Sequence, residues 1–311
     1  MNIRNKFIVN TLFFFVFLGV INAQQDSQYT QYMFNTISVN PAYAGSREAL
    51  SVVGLHRSQW VGFKGGPITQ TLSIHTPLRN DRIGLGLSFI EDDLGPQNFT
   101  YVYGDFSYTI PTGSDGKLAF GLKAGFTQFS FDTDFRNDPG NVNDPLIFGT
   151  EDRWTPNIGA GVFWHSNRWY LGLSAPRILT NDFANKQNNF KALERISYYF
   201  TGGIVVDLSE SIKLKPAVLL KATNGAPMSY DFTGSFLFKE KFWLGGSYRL
   251  NRETAAIGGF ADFQVSRQLR VGYAYEKPIS DIARYTTGTH EILLIYEFKF
   301  LSSKLKSPRY F

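Results

Sequence analysis

Short stretches of strict apolar–polar alternation recur along almost the whole of this chain, and no other feature constrains its fold as much. From residue 49 onward fourteen such segments follow one another, separated by clusters of Gly, Asn, Asp, Ser and Pro. A period of two puts successive side chains on opposite faces of a strand. The expected spans are 49–58, 68–77, 82–92, 97–110, 117–131, 157–165, 168–175, 197–208, 212–222, 229–238, 242–250, 255–265, 268–276 and 290–300. In the last, Ile292, Leu294, Tyr296, Phe298 and Phe300 share one face, while Glu291, Glu297 and Lys299 share the other. The same split sets Ile212, Leu214, Val218 and Leu220 against Lys213, Lys215 and Lys221. It also sets Phe242, Leu244, Tyr248 and Leu250 against Ser247 and Arg249, and Tyr230, Phe232, Phe236 and Phe238 against Asp231, Thr233 and Ser235.

A soluble sandwich alternates in the same way with its apolar face inside, so the connections have to decide. Numbered along the chain, every connection longer than six residues is odd, and the even ones are all short. Alternate connections of an antiparallel barrel share a rim, and outer-membrane barrels carry short periplasmic turns, longer external loops and an even strand number. The expected fold is therefore all-β: a transmembrane, antiparallel, up-and-down barrel of about 14 strands over residues 49–300, in the cell outer membrane. Residues 132–156, 176–196 and 277–289 would lie on the external rim. The tight turns at Ser166-Asn167, Ser209–Ser211 and Ser266-Arg267 suit the opposite one. Trp60, Trp154, Trp164, Trp169 and Trp243, near strand ends, are compatible with interfacial girdles.

The first 23 residues read as a secretory signal peptide: Arg4 and Lys6, an apolar run from Phe7 to Ile21, and Ala23 before the cleavage point. The alternative, a single anchor helix, is disfavoured by the shortness of that run. No later run is long enough for a membrane helix. The absence of Cys removes disulfides, thiolate metal sites and thiol catalysis, and a scattered net charge of +5 does not suggest nucleic acid. His56, His75, His165 and His290 fall on different strands without metal-ligand spacing, and no hydrolase, P-loop or dinucleotide motif occurs. The expectation is a protein that is not an enzyme, with no metal and no cofactor. Asn98–Thr100 matches a glycosylation sequon, a weak three-residue signal.

Two features remain for function. Lys213, Lys215, Lys221, Asp231, Arg249, Asp262, Glu276, Glu291 and Glu297 would face the lumen of the second half, pairing with one another or lining a pore or peptide-docking wall. Residues 24–48 form an N-terminal segment of different character, polar and aromatic, with a turn at Asn40-Pro41 and a break at Gly45. It either plugs the barrel or sits beneath it in the periplasm. In the second case Tyr29, Tyr32, Asn40, Pro41 and Tyr43 are candidates for binding a partner.

Ser27-Gln28-Tyr29, then Asn40-Pro-Ala-Tyr-Ala-Gly-Ser46, His56-Arg-Ser-Gln-Trp60 and Gly65-Gly-Pro67 resemble the PorP/SprF family of Bacteroidetes outer-membrane proteins. Arg195–Tyr199 with Thr201-Gly-Gly203, Lys213–Pro216, Gly246–Arg249, Val271–Tyr275 and Gly288–Ile292 are similar to family positions as well. The resemblance spans essentially the whole mature chain. It implies an outer-membrane barrel of the type IX secretion and gliding-motility machinery, without enzymatic activity or cofactor. The implied partners are outer-membrane lipids, type IX secretion components in the periplasm or outer membrane, and a secreted surface adhesin recognised through its C-terminal domain. The alternative is a passive or gated channel for small solutes. Residues 301–311, a C-terminal extension with Lys304, Lys306 and Arg309, depart from the family pattern.

Overall fold

The computed structural model describes residues 27–132, 153–182, 194–298 and 310. Three short 3₁₀ turns, Tyr32–Phe34, Thr36–Ser38 and Pro41–Tyr43, precede the strands. The strands then run β1 (Leu50–Val61), β2 (Ile68–Pro77), β3 (Ile83–Leu94), β4 (Gln97–Thr112), β5 (Gly116–Phe131), β6 (Arg153–His165) and β7 (Trp169–Ala175). They continue β8 (Ser197–Ile204), β9 (Val206–Asp207), β10 (Ile212–Thr223), β11 (Ser229–Phe238), β12 (Phe242–Leu250), β13 (Ala256–Gln264), β14 (Leu269–Pro278) and β15 (Gly288–Phe298).

Neighbouring strands pair antiparallel, and the sheet closes because β15 returns to β1, with Leu50 opposite Phe298 and Ser58 opposite His290. Strands β8 and β9 are two parts of one stave, since both pair with β10. Between them Val205 turns its N–H to the Arg168 carbonyl on the other side, at 2.7 Å. The barrel thus has fourteen staves and one interrupted strand.

Connections 62–67, 95–96, 132–152, 176–196, 224–228, 251–255 and 279–287 share one rim, and the turns 78–82, 113–115, 166–168, 208–211, 239–241 and 265–268 share the other. The parity read from the sequence holds, and it identifies the first set as external. Several boundaries move: the connection expected over 277–289 is 279–287, and two shifts are larger. Strand β6 starts at Arg153, so the connection expected over 132–156 is 132–152. Strand β1 continues through an irregularity between Ser58 and Val61, where Trp60 takes a positive φ of 55°. Residues 133–152 and 183–193 of the long external connections lie outside the described residues.

The outer surface is apolar as the alternation requires. Leu85, Leu87 and Phe89 on β3, Phe120, Leu122 and Phe126 on β5, and Ile292, Leu294, Tyr296 and Phe298 on β15 all point outward. Trp154 and Trp164 are exposed on opposite rims, and Trp164 meets Trp169 edge-on at 4.8 Å. Trp243 does not belong to a girdle: it sits on the opposite face from Phe242 and Leu244 and is completely buried inside the barrel.

The core therefore lies within the lumen. Tyr29, Tyr32, Met33, Phe34 and Val39 pack against Val53, Leu55, Leu219, Leu237, Trp243, Phe260, Leu293 and Ile295. A second cluster joins Ile37, Ala42, Tyr43 and Ala44 to Ala119, Phe163 and Tyr170.

Candidate functional site

Residues 27–48 take the plug option of the two open to them. Every residue from Tyr29 to Ala44 is buried, and the segment threads the lumen from the external end to the periplasmic rim. At its external end Ser27 Oγ donates to Asp92 Oδ2 (2.7 Å), near the external ends of β2 and β3. At its periplasmic end Lys117 Nζ meets Glu48 at 2.6 Å before β1 begins. The first described residue is thus at the external end of the lumen.

A chain of five charges holds the upper plug. Glu291 accepts from the backbone N–H of Thr30 (3.0 Å) and Gln31 (2.8 Å) and from Arg57 Nη1 (3.0 Å). Arg57 Nη2 then reaches Glu276 Oε2 at 2.6 Å, and Arg249 joins Glu276 (3.2 Å) to Asp231 (2.6 Å). Gln28 Nε2 closes the row by donating to Asp231 Oδ2 at 3.0 Å. Both ends of the network thus take donors from the plug. Five buried charges require such mutual pairing, because desolvation would otherwise outweigh their attraction. Below it Gln31 Nε2 donates to Asp262 Oδ1 (3.0 Å), and the Tyr32 and Thr233 hydroxyls share a hydrogen bond of 2.9 Å.

The lower plug is held by shape as much as by charge. Asn40 caps the Pro41–Tyr43 turn by accepting from Ala42 N (3.0 Å), while its Nδ2 donates to the Val162 carbonyl (3.0 Å). Pro41 takes the first position of the turn, where its missing N–H costs nothing. The wall yields to this turn through glycine: a Cβ at Gly121 would lie 2.1 Å from Ala42 N, and one at Gly161 would lie 2.2 Å from Asn40 Oδ1. Tyr43 packs edge-on between His75 (5.4 Å) and Phe163 (5.3 Å). Arg47 Nε pairs with Glu297 at 2.6 Å. Burial works against the Arg47 charge, but Glu297 and Tyr43 outweigh it and hold the guanidinium above its ordinary range.

All nine charged residues assigned to the lumen from the sequence face it. Lys215, Lys221, Asp231, Arg249, Asp262, Glu276, Glu291 and Glu297 are buried, and Lys213 sits at the periplasmic rim against Asp207 at 2.8 Å. Sequence reasoning missed Arg57, Arg47, Arg270 and the buried Lys123–Asp105 pair (2.7 Å). For Arg57, Arg270, Lys123 and Asp105 the available signal was their phase, opposite to the outward residues of their own strands; Arg47 precedes β1 and had no such signal. Tyr29, Tyr32, Asn40, Pro41 and Tyr43 are all buried in the plug, so a partner reaching them would first have to draw the segment out. Among the described residues no group of His, Asp and Glu is arranged to hold a metal.

The family model described as "Type IX secretion system membrane protein PorP/SprF" matches residues 21–296. No curated protein matches the sequence. Among solved structures, the CymD monoaromatic hydrocarbon channel is similar, with a TM-score of 0.51 and 12% identity over 90% of this chain and 95% of that one. A deletion mutant of the TodX monoaromatic hydrocarbon channel has a TM-score of 0.50 and 10% identity over 85% and 94%. At such identities the likeness concerns the barrel fold. The family match, together with the apolar exterior and the connection parity, places the barrel in the outer membrane.

Proposed function

The chain belongs to the PorP/SprF family of type IX secretion system membrane proteins, and on that premise we propose that it is a closed binding and anchoring barrel. It holds a secreted surface protein, such as an adhesin C-terminal domain, or joins components of the secretion apparatus, and it performs no catalysis of its own. The observation that carries this reading is the filled lumen: the buried run from Tyr29 to Ala44 and the Glu291–Arg57–Glu276–Arg249–Asp231 network occupy the space a solute would need. A channel for small solutes is the competing reading, and the likeness to hydrocarbon channels supports only the shared fold.

With the plug residues packed inside, the surfaces left for a partner are the two mouths and the external connections. Crosslinking in the native envelope, followed by affinity purification, tests this. A secreted surface protein or a secretion component should co-purify stoichiometrically with the wild-type barrel. Recovery of the barrel alone under conditions that preserve other envelope complexes would count against anchoring.

A further inference from the structure

Beyond the end of β15 at Phe298, Tyr310 lies back in the periplasmic mouth. Lys215 Nζ donates to its backbone carbonyl, and Lys213 Nζ stands 5.8 Å from the centre of its ring. The ring packs against the lumenal apolar cluster and borders a cavity of about 500 Å³ shared with Tyr43, Arg47 and Phe163.

The seat under it is built entirely by strands and plug. Lys215 is 1% exposed and lies 5.0 Å from the Phe34 ring and 5.8 Å from that of Trp243. Arg270 covers the same two rings at 4.5 and 5.5 Å, and its Nε and Nη1 have no acceptor among the described residues. Two cations over one aromatic pair make this spot rich in donors, with the buried Asp262 carboxylate acting on both. Tyr310 brings a carbonyl oxygen to Lys215 and a ring to the apolar wall, the two things an extended peptide with an aromatic side chain offers such a spot. The matched family region ends at residue 296, so the seat lies inside it and Tyr310 lies outside.

We propose that the periplasmic mouth holds a peptide-binding seat for an extended segment carrying an aromatic side chain, that Tyr310 is its built-in occupant, and that the same segment supplied separately exchanges with it. This goes beyond the anchoring reading and does not depend on it, since only this chain and a peptide of its own sequence are involved.

The test uses the full chain in detergent, a fluorescein-labelled peptide of residues 301–311, and anisotropy. The Tyr310→Ala protein should bind the peptide saturably. The wild-type protein should bind it at least tenfold more weakly, because its tethered tail competes at an effective concentration near the millimolar range. A peptide with Ala in place of the tyrosine should lose binding, and Lys215→Met in the Tyr310→Ala background should weaken it at least tenfold. Heat-modifiability confirms that each barrel is folded; should Lys215→Met not assemble, Lys213→Gln at the rim replaces it, with a weakening of at least threefold expected. Equal affinity for the wild-type and Tyr310→Ala proteins, indifference to the tyrosine of the peptide, or no binding to either protein overturns the proposal.

Discussion

Glu291 is the residue through which barrel and plug are most directly joined, and Glu291→Gln changes that junction without changing its shape. The carboxylate accepts three donors: the N–H of Thr30, the N–H of Gln31 and Arg57 Nη1. An amide keeps one acceptor oxygen and turns an NH₂ group toward at least one of those donors. The loss is a charge-assisted hydrogen bond, about 1.5–3 kcal/mol, plus a buried donor left unsatisfied, about 1–3 kcal/mol. Glu276 still holds Arg57, so the total should fall near 3 kcal/mol rather than at the sum of the extremes. At tenfold per 1.4 kcal/mol, this raises the population with a released plug by roughly two orders of magnitude. The chain has no Cys, so Ser38→Cys, buried in the plug, gives a single reporter thiol. Its maleimide labelling in the purified, heat-modifiable barrel should be slow in the parent and about a hundredfold faster with Glu291→Gln, while Glu253→Gln in an external connection leaves it unchanged. Labelling within twofold of the parent would refute the reasoning that Glu291 anchors the plug.

On the lipid face, Leu294→Arg and Leu244→Arg should each cost about 2–4 kcal/mol and lower the assembled fraction in a heat-modifiability gel; tolerance of both would mean that the faces are reversed. Gly121→Val would drive its side chain into the Pro41–Tyr43 turn and should accelerate Ser38→Cys labelling at least tenfold, whereas Gly234→Ala, with open space around it, should not. A protease-site tag inserted at 224–227 or 137–144 should be cut on intact cells, and one at 209–211 should be protected; the reverse pattern would invert the barrel.

Barrel, strand number and the alternation of long and short connections were legible because they rest on local properties of the sequence. The filled lumen was partly legible. Ile292-Leu293-Leu294-Ile295 is apolar on both faces, and so is Leu237 beside Phe236 and Phe238; an empty aqueous pore would put polar residues at Leu237, Leu293 and Ile295. That double-faced pattern marks an internal core, but it does not say which segment fills it. The path of the plug was not legible at all, since it depends on contacts such as Gln28 with Asp231, 203 positions apart. Trp243 was assigned by its place near a strand end, when its phase relative to Leu244 already turned it inward. Arg57 was visible within the His56–Trp60 motif, yet its two carboxylate partners on β14 and β15 appear only once β15 closes on β1.

Single-protein conductance in planar bilayers tests the central claim most directly, that this is a barrel closed by its own N-terminal segment. The wild-type protein should insert without steady conductance, and the Arg57→Met, Glu291→Gln variant should show intermittent openings as the plug loosens. Long-lived ohmic openings of the wild-type protein, equal to those of the variant, would contradict it and favour a solute channel.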